Sequence, residues 1–219
     1  MTGTPSILAI DGGTTTGWAL WYPGLEKPRA GTIKMPDTQD MGIWGDAFVE
    51  WCVPFMELSG VNHVQIEAPI IALHRSEGGA VKANMNEVRK LLSIVSFAQY
   101  AAVLHGATHG LTPRGTASKH FGGKGNGPRR ELKAACFVAA QHKGWKVTSQ
   151  DVADALAVLD QYTWAHKVSV PWDNRPLPGP LFTAAAHGTR IDRDNKRAAS
   201  ALTNSALSFD RQTFRGEGK

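Results

Sequence analysis

Four carboxylates in the sequence stand where an α/β sheet commonly carries its chemistry. Asp11 follows the apolar run 7–10, and Glu67 follows a second strand-like run, so both are expected to leave buried strands. Asp151 and Asp154 lie three residues apart near the start of a helical segment, and therefore on one helix face. An ionised carboxylate that leaves a buried strand is costly unless a cation or hydrogen-bond donors compensate it. Because hard divalent ions such as Mg²⁺ prefer oxygen ligands, the set indicates a divalent-metal site.

Each of these carboxylates also has an ordinary structural explanation. Asp11 precedes two glycines and can be a turn residue, and Glu67 can be a surface acid at the end of a strand. Asp151 can stabilise the N-terminal dipole of its helix. Asp154 borders the apolar face of the same helix and is harder to explain in this way. The interpretation as a site therefore depends on the set of four rather than on any single member.

Hydrophobic patterning predicts the elements that must position these residues. Strands are expected at 6–10, 17–22, 29–34, 62–66 and 107–112, and helices at 41–58, 80–104, 128–143 and about 149–164. Pro54 is expected to disturb the first helix, and Thr148 or Ser149 to cap the last one. Residues 113–121 are expected to form a short helix or loop, and the glycine-rich stretch 122–127 a flexible or tight turn. Three clustered strands followed by alternating helices and strands favour an α/β or mixed α+β sheet domain.

The net charge of +5 is the small remainder of larger opposing blocks. Residues 105–146 contain eight basic residues and one acidic residue, which gives this block a net charge of +7. The blocks on either side, 1–104 and 147–165, each carry a net charge of −3. Such a distribution is typical of a surface that binds a polyanion, although a solvated basic face would have the same composition.

Length and composition limit the class of protein. The 219 residues fit one domain, predicted at 1–168, followed by a basic arm at 169–219 that contains several prolines and can be partly disordered. Cys52 and Cys136 are the two cysteines, and their separation argues against a disulfide framework and a cysteine-based zinc site. No apolar run reaches membrane-spanning length and no secretion signal is visible, so we expect a cytoplasmic protein without a membrane partner.

The segments around the four carboxylates resemble the RuvC family of Holliday-junction resolvases. The resemblance rests on Ile-Leu-Ala-Ile-Asp-Gly-Gly-Thr-Thr-Thr-Gly at 7–17, Gln-Ile-Glu at 65–67 and Asp-Val-Ala-Asp-Ala-Leu-Ala at 151–157. It spans about residues 6–165 and is nearest to the phage-encoded branch, in which a Gly-Lys-Gly-Asn segment, here 123–126, precedes a helix. The resemblance implies an RNase H-like α/β fold, with a mixed five-stranded sheet flanked by helices.

The resemblance also implies an activity, a cofactor and a partner. The protein would be a metal-dependent crossover junction endodeoxyribonuclease that resolves four-way DNA junctions. Asp11, Glu67, Asp151 and Asp154 would bind two Mg²⁺ or Mn²⁺ ions, and phosphodiester hydrolysis would leave 5′-phosphate and 3′-hydroxyl ends. The basic residues that we expect to contact DNA are Lys119, Lys124, Arg129, Arg130, Lys133 and Arg114.

Several alternatives stay open at this point. The family commonly acts as a homodimer, and the apolar stripe of helix 80–104 is explained equally well as a dimer interface or as core. Forks, flaps, other branched DNA or RNA hybrids can replace the four-way junction as substrate, and a non-catalytic nucleic-acid binder can share the fold. The Asp-Gly-Gly-Thr-Thr-Thr-Gly segment at 11–17 also resembles the phosphate loop of actin-like kinases. That reading is disfavoured, because a second such loop is missing and the chain is too short for the duplicated domain.

Overall fold

The computed structural model describes residues 4–69, 74–75, 81–82 and 85–173. Seven strands and five helices are found in these ranges. They are β1 (Ile7–Asp11), β2 (Thr15–Trp21), β3 (Arg29–Lys34), α1 (Met41–Ser59), β4 (His63–Ala68), β5 (His74–Arg75), β6 (Val81–Lys82), α2 (Met85–His105), β7 (Thr108–Pro113), α3 (Arg114–Gly122), α4 (Arg129–His142) and α5 (Gln150–Ala165). No helix among the described residues is both long enough and apolar enough to cross a bilayer.

Five strands form one mixed sheet in the order β3-β2-β1-β4-β7, which confirms the predicted five-stranded architecture. β1, β2 and β3 pair antiparallel as consecutive neighbours, whereas β1 pairs with β4, and β4 with β7, in parallel. Parallel neighbours need long crossover connections, and α1 and α2 lie within the two connections here. The carboxyl ends of β1, β4 and β7 consequently lie at the same edge of the sheet.

The sheet is covered on both faces, which explains why β1 is a continuous apolar run rather than an alternating one. Ile7 and Ala9 face a core layer that includes Leu156 and Leu159 of α5. Leu8 and Ile10 point to the opposite layer, where the buried side chains come mainly from α1 and α2. Successive residues of one strand thus serve two different cores.

Helix α1 covers nearly the predicted range 41–58 and runs through Pro54 without ending there. The side chain of Asp40 caps its start by accepting hydrogen bonds from the backbone N–H groups of Gly42 and Ile43, at 2.8 and 3.3 Å. Gly60 ends it in the left-handed conformation, with φ of 61°. Pro54 and Glu50, whose carbonyl loses its helical partner, are both exposed, so water can replace the missing hydrogen bond.

Helix α2 begins at Met85 rather than at residue 80, because Val81–Lys82 forms a short antiparallel pair with His74–Arg75. From residue 88 on, its side chains divide between two faces. One set is buried in the core with α1: Ile94, Val95, Ala98, Ala101 and Ala102. The other set is apolar but about half exposed: Leu92, Tyr100, Val103 and Leu104. One apolar face of α2 therefore belongs to the core with α1, and a second apolar face of the same helix is exposed.

The last four predicted elements are confirmed with small changes of boundary, and α4 is one residue shorter at each end than the predicted helix 128–143. β7 extends the expected strand to Pro113. Residues 113–121 were expected to form a short helix or a loop, and the structure shows helix α3 there, from Arg114 to Gly122. Helix α5 is capped by Ser149, whose hydroxyl accepts a hydrogen bond from the backbone N–H of Val152 at 3.2 Å.

After α5, the chain packs against the core layer that contains Leu156 and Leu159. Val170 is buried, and the Trp172 ring packs edge-on against both Trp21 and Trp145, with centroids 5.7 and 5.3 Å apart. The indole N–H of Trp172 also donates a hydrogen bond to Asp160 at 3.0 Å. The division into a domain at 1–168 and an arm at 169–219 stays a prediction, and residues 174–219 of that arm lie outside the described residues.

Candidate active site

The parallel register of β1 and β4 brings the first two carboxylates together. Ile10 lies opposite Ile66, so Asp11 and Glu67 follow at adjacent positions on the same edge of the sheet, with their side chains in hydrogen-bond contact. Burial, the negative charge of Glu67 and that contact raise the pKa of Asp11 well above its usual range. Burial likewise raises the pKa of Glu67. The two groups form a coupled carboxylate pair that an additional cation would stabilise.

A glycine lets the start of α5 approach the same edge. Gly17 of β2 pairs with Asp11, and a Cβ built on Gly17 would overlap the backbone carbonyl oxygen of Asp151. The absence of a side chain at this position is therefore what allows the first turn of α5 to lie against the sheet beside Asp11. Asp154, one turn further along, is 3 % exposed, and Asp151 is more open, with 31 % of its side chain exposed.

The turn that follows Asp11 is also held in place by packing. A Cβ on Gly12 would overlap the side chain of Ile94 in α2. Lys90 of the same helix donates a hydrogen bond to the Thr14 hydroxyl at 3.1 Å. The Asp-Gly-Gly segment thus combines the end of β1 at Asp11 with a close approach to α2.

Two basic side chains lie inside this acidic cluster. Arg114, the first residue of α3, donates to Asp154 at 2.9 Å, and its Nε lies 3.7 Å from Glu67 without a hydrogen-bond partner. Lys133 of α4 contacts Asp151 at 2.7 Å and Asp154 at 3.2 Å. Arg114 and Lys133 are each 8 % exposed. The structure therefore places these two predicted DNA contacts among the carboxylates rather than on the outer surface.

The electrostatics of the cluster follow from burial and from these neighbours. Burial raises the pKa of Asp154, and the charge of Asp11 adds to the effect, while Lys133 and Arg114 offset part of it. For Lys133, burial by itself would lower the pKa, but the hydrogen bond to Asp151 and the charges of Asp154 and Asp11 outweigh burial and raise it. Lys133 is consequently a cation at neutral pH, held by the acids around it.

The remaining predicted DNA contacts lie on the surface close by. Lys119, Lys124, Arg129 and Arg130 are all exposed, on α3, on the following glycine-rich loop and at the start of α4. Gly125 of that loop lies close to Gly115 and to the side chain of Lys119, so the loop packs along α3. Lys124 and Glu131 form an ion pair at 3.6 Å, but each side chain is about 60 % exposed and the pair adds little stability.

A second buried cluster was missed at the sequence level. Asp160 of α5 accepts hydrogen bonds at 3.0 Å from His120, Lys143 and Trp172. Burial alone would raise the pKa of Asp160, but the bond from His120 and the charge of Lys143 outweigh it, and the pKa lies below its usual value. This cluster ties α3, α4 and the segment after α5 to one helix face.

The position of Lys133 could have been found from helical spacing. Lys133 lies three and seven residues before Cys136 and Ala140, both buried, and therefore on the inward face of α4. No comparable pattern marks Arg114, since its burial depends on where β7 ends and α3 begins.

The donor set fits a hard divalent ion in chemistry, because all four acidic groups offer carboxylate oxygens. Within the described residues, however, no three Asp, Glu, His or Cys side chains converge as a ready-made metal site. Lys133 and Arg114 contact Asp151, Asp154 and Glu67 instead. A metal ion at these carboxylates would therefore compete with resident cations.

The strand order, the two parallel crossovers and the packing of α5 beneath the carboxylate edge define the RuvC-type, RNase H-like fold. Solved structures show the same fold at low identity. One is "T. thermophilus RuvC in complex with Holliday junction substrate", with a TM-score of 0.54, 15 % identity, and 74 % of this chain and 95 % of that chain covered. Another is the "Thermus thermophilus RuvC structure", with a TM-score of 0.52, 15 % identity, and 76 % and 99 % covered. No protein-family model and no curated protein sequence matches the chain.

The chain thus shares its fold with RuvC over nearly the whole length of those structures, which confirms the fold expected from the motifs. The fold likeness does not by itself define the substrate or the metal, because one fold can carry many chemistries.

Proposed function

We propose that the protein is a divalent-metal-dependent endonuclease that cleaves branched DNA, with the four-way junction as its main substrate. The observation that carries this proposal is the cluster of Asp11, Glu67, Asp151 and Asp154 at one edge of a RuvC-type sheet. The structural neighbour was solved with a Holliday junction substrate, which supports the choice of substrate class. Forks, flaps and other branched DNA are the alternative substrates for the same site.

The four carboxylates would hold the divalent ions, Mg²⁺ or Mn²⁺. Ions bound there would supply activation of a water molecule and stabilisation of the leaving 3′ oxygen, and a nick made in this way would have 5′-phosphate and 3′-hydroxyl ends. The protein's own contribution is positioning. β1 and β4 fix one carboxylate pair, the start of α5 fixes the other, and ion pairs with Lys133 and Arg114 orient the second pair.

The exposed bases beside the site would bind the DNA backbone. Lys119, Lys124, Arg129 and Arg130 lie on α3, α4 and the loop between them, and both helices also supply a cation to the carboxylate cluster. Phosphate contacts from such residues position a strand without reading its sequence. Recognition of a branch by shape is consistent with a site built in this way.

A homodimer is part of the proposal. The exposed side of α2 presents Leu92, Tyr100, Val103 and Leu104, and an apolar stripe of this kind suits burial against another protein surface. Two copies would place one active site on each of two junction strands.

The catalytic part of the proposal is tested with a labelled four-way junction incubated with Mg²⁺, Mn²⁺ or EDTA. Wild-type protein should nick the junction with either metal and not in EDTA, and Asp11→Asn should lower the rate by at least 100-fold while junction binding persists. The matched control is Asp46→Asn, which changes an exposed acid on α1 and should leave cleavage unchanged. Full activity of Asp11→Asn, or cleavage in EDTA, would overturn the proposed chemistry.

The proposed DNA surface is tested by the salt dependence of junction binding. Lys119→Ala combined with Lys124→Ala should weaken binding and reduce the slope of log Kd against log[salt], because fewer counterions are released per binding event. Lys27→Ala is the control, because Lys27 is exposed and lies between β2 and β3, at the opposite end of β2 from Asp11. An unchanged slope in the double variant would remove these two lysines from the interface.

A further inference from the structure

The carboxylates of the candidate site are divided into two unequal halves. Asp11 and Glu67 contact each other at the ends of neighbouring parallel strands. Asp151 and Asp154, on α5, are bridged by the ammonium group of Lys133, at 2.7 and 3.2 Å. One half therefore lacks a bridging cation, whereas the other half already holds one.

Packing of α4 fixes the position of Lys133 between Asp151 and Asp154, and the lysine is not a flexible surface side chain. It lies on the buried face of α4, in line with Cys136 and Ala140, and only 10 % of its side chain is exposed. Arg114 supports the same half through its 2.9 Å contact with Asp154. Its Nε is buried without a hydrogen-bond partner and lies 3.7 Å from Glu67, between the two halves.

A count of formal charges shows what the cluster still needs. When all four carboxyl groups are deprotonated, as metal ligands must be, Arg114 and Lys133 leave a net charge of −2, which one divalent ion neutralises. Two divalent ions beside both basic side chains would leave a net charge of +2. Because charges in a partly buried site are costly unless balanced, a single ion is the better match while Lys133 stays in place.

We propose that Lys133 takes the place of the second cation, so that the protein binds one divalent ion firmly at the Asp11–Glu67 half. A second ion enters the Asp151–Asp154 half only when it displaces the Lys133 ammonium group. This inference rests on the proposed function, since it assigns unequal roles to the carboxylates of the same site.

The inference is tested by metal binding without DNA. In Mn²⁺ titrations followed by calorimetry, wild-type protein should bind one ion per chain, with any second ion at least 10-fold weaker. Lys133→Met should strengthen the second ion by 10-fold or more. Electron paramagnetic resonance should then show a coupled Mn²⁺ pair in Lys133→Met at two equivalents and uncoupled Mn²⁺ in the wild type.

The control is Lys27→Met, which removes an exposed lysine between β2 and β3, at the opposite end of β2 from Asp11, and should bind metal as the wild type does. Lys133→Gln, which keeps a hydrogen-bond donor, replaces Lys133→Met if the latter does not fold, with the same expectation. Two equal ions in the wild type, or an unchanged second ion in the Lys133 variant, would overturn the inference and leave the proposed function standing. A wild-type protein that binds no ion would overturn both.

Discussion

Asp11, Glu67 and Asp154 lie where burial and neighbouring acids disfavour the ionised carboxylate, and the pKa of each is raised. A folded-state pKa above the unfolded value means that ionisation costs stability at neutral pH. The cost is relieved as the pH falls through the raised pKa towards the unfolded value near 4. At the residue scale, the features that suit these side chains to a metal ion therefore work against the stability of the metal-free protein.

Asp11→Asn should therefore stabilise the metal-free protein at pH 7.5, because it removes a buried charge beside Glu67 while keeping a hydrogen-bonding side chain of the same size. We expect the melting temperature in EDTA to rise by about 2–4 °C for each kcal/mol gained. The gain should shrink as the pH is lowered towards 4, where the wild-type carboxyl is protonated as well. If the melting temperature of Asp11→Asn rises no more than that of Asp46→Asn at any pH, ionised Asp11 does not destabilise the metal-free protein.

At the scale of elements, the site depends on close packing between β2 and α5. Gly17 pairs with Asp11 across the sheet and leaves room for the backbone of Asp151. The same contact sets the distance between the sheet and the first turn of α5. Ser149 caps that turn. One small residue thus controls the relative position of two carboxylates from different parts of the chain.

Gly17→Ala should push the start of α5 away from the sheet, because the new methyl group overlaps the carbonyl oxygen of Asp151 and that atom belongs to the backbone. We expect a loss of about 1–3 kcal/mol in the free energy of unfolding, measured with urea. The cleavage rate should fall by more than this loss of folded protein explains. Thr15→Ala, an exposed change in the same strand, is the control, and equal behaviour of the two variants would show that the contact is unimportant.

The elements themselves were largely predictable because strong local signals mark them. β3 was predicted at its observed boundaries. Ser149 caps the start of α5 and Gly60 caps the end of α1, and both are favoured residue types at these positions. The continuation of α1 through Pro54 agrees with the predicted helix 41–58, and the exposure of Pro54 and Glu50 lets water replace the lost hydrogen bond. The start of α2 was missed, because a two-residue strand is specified by its partner and not by its own sequence.

The four acids of the candidate site were proposed from the sequence, and helical spacing could have placed Lys133 on the buried face of α4, but no sequence pattern marked Arg114. Asp11, Glu67, Asp151 and Asp154 were identified from their places at the ends of strands and at the start of a helix. Arg114 belonged to the basic block and was assigned to the DNA surface, but the turn from β7 into α3 carries it to the carboxylates. Contacts between residues 40 positions apart, such as Arg114 with Asp154, depend on the tertiary fold and leave no local trace.

At the scale of the whole molecule, the four candidate-site acids and the exposed bases expected to contact DNA lie close together. The acids are at the carboxylate edge, and the bases lie on α3, on α4 and on the loop between them, and these helices share a core layer with α5 on one side of the sheet. On that side of the sheet the core is completed by the segment after α5, in which Trp172 packs against Trp21 and Trp145 and donates to Asp160. The first residues of the predicted arm therefore contribute to the fold.

A chain that ends at Asp173 should unfold within about 1 kcal/mol of the full-length protein, because it keeps every one of these contacts. A chain that ends at Val168 should lose about 3–5 kcal/mol, since it removes the Trp172 ring and leaves Asp160 without one of its donors. Trp172→Ala in the full-length chain gives the same comparison if the shorter chain does not fold. Equal stability of the two truncated chains in urea would refute the structural role of this segment.

Cleavage of a synthetic four-way junction, compared with a linear duplex of the same sequence in Mg²⁺, measures the proposed activity itself. We predict paired nicks on two strands of the junction that DNA ligase can reseal, as 5′-phosphate and 3′-hydroxyl ends require, with little cutting of the linear duplex. Equal cutting of the junction and the linear duplex, or no metal-dependent cutting of either, would contradict the proposed function.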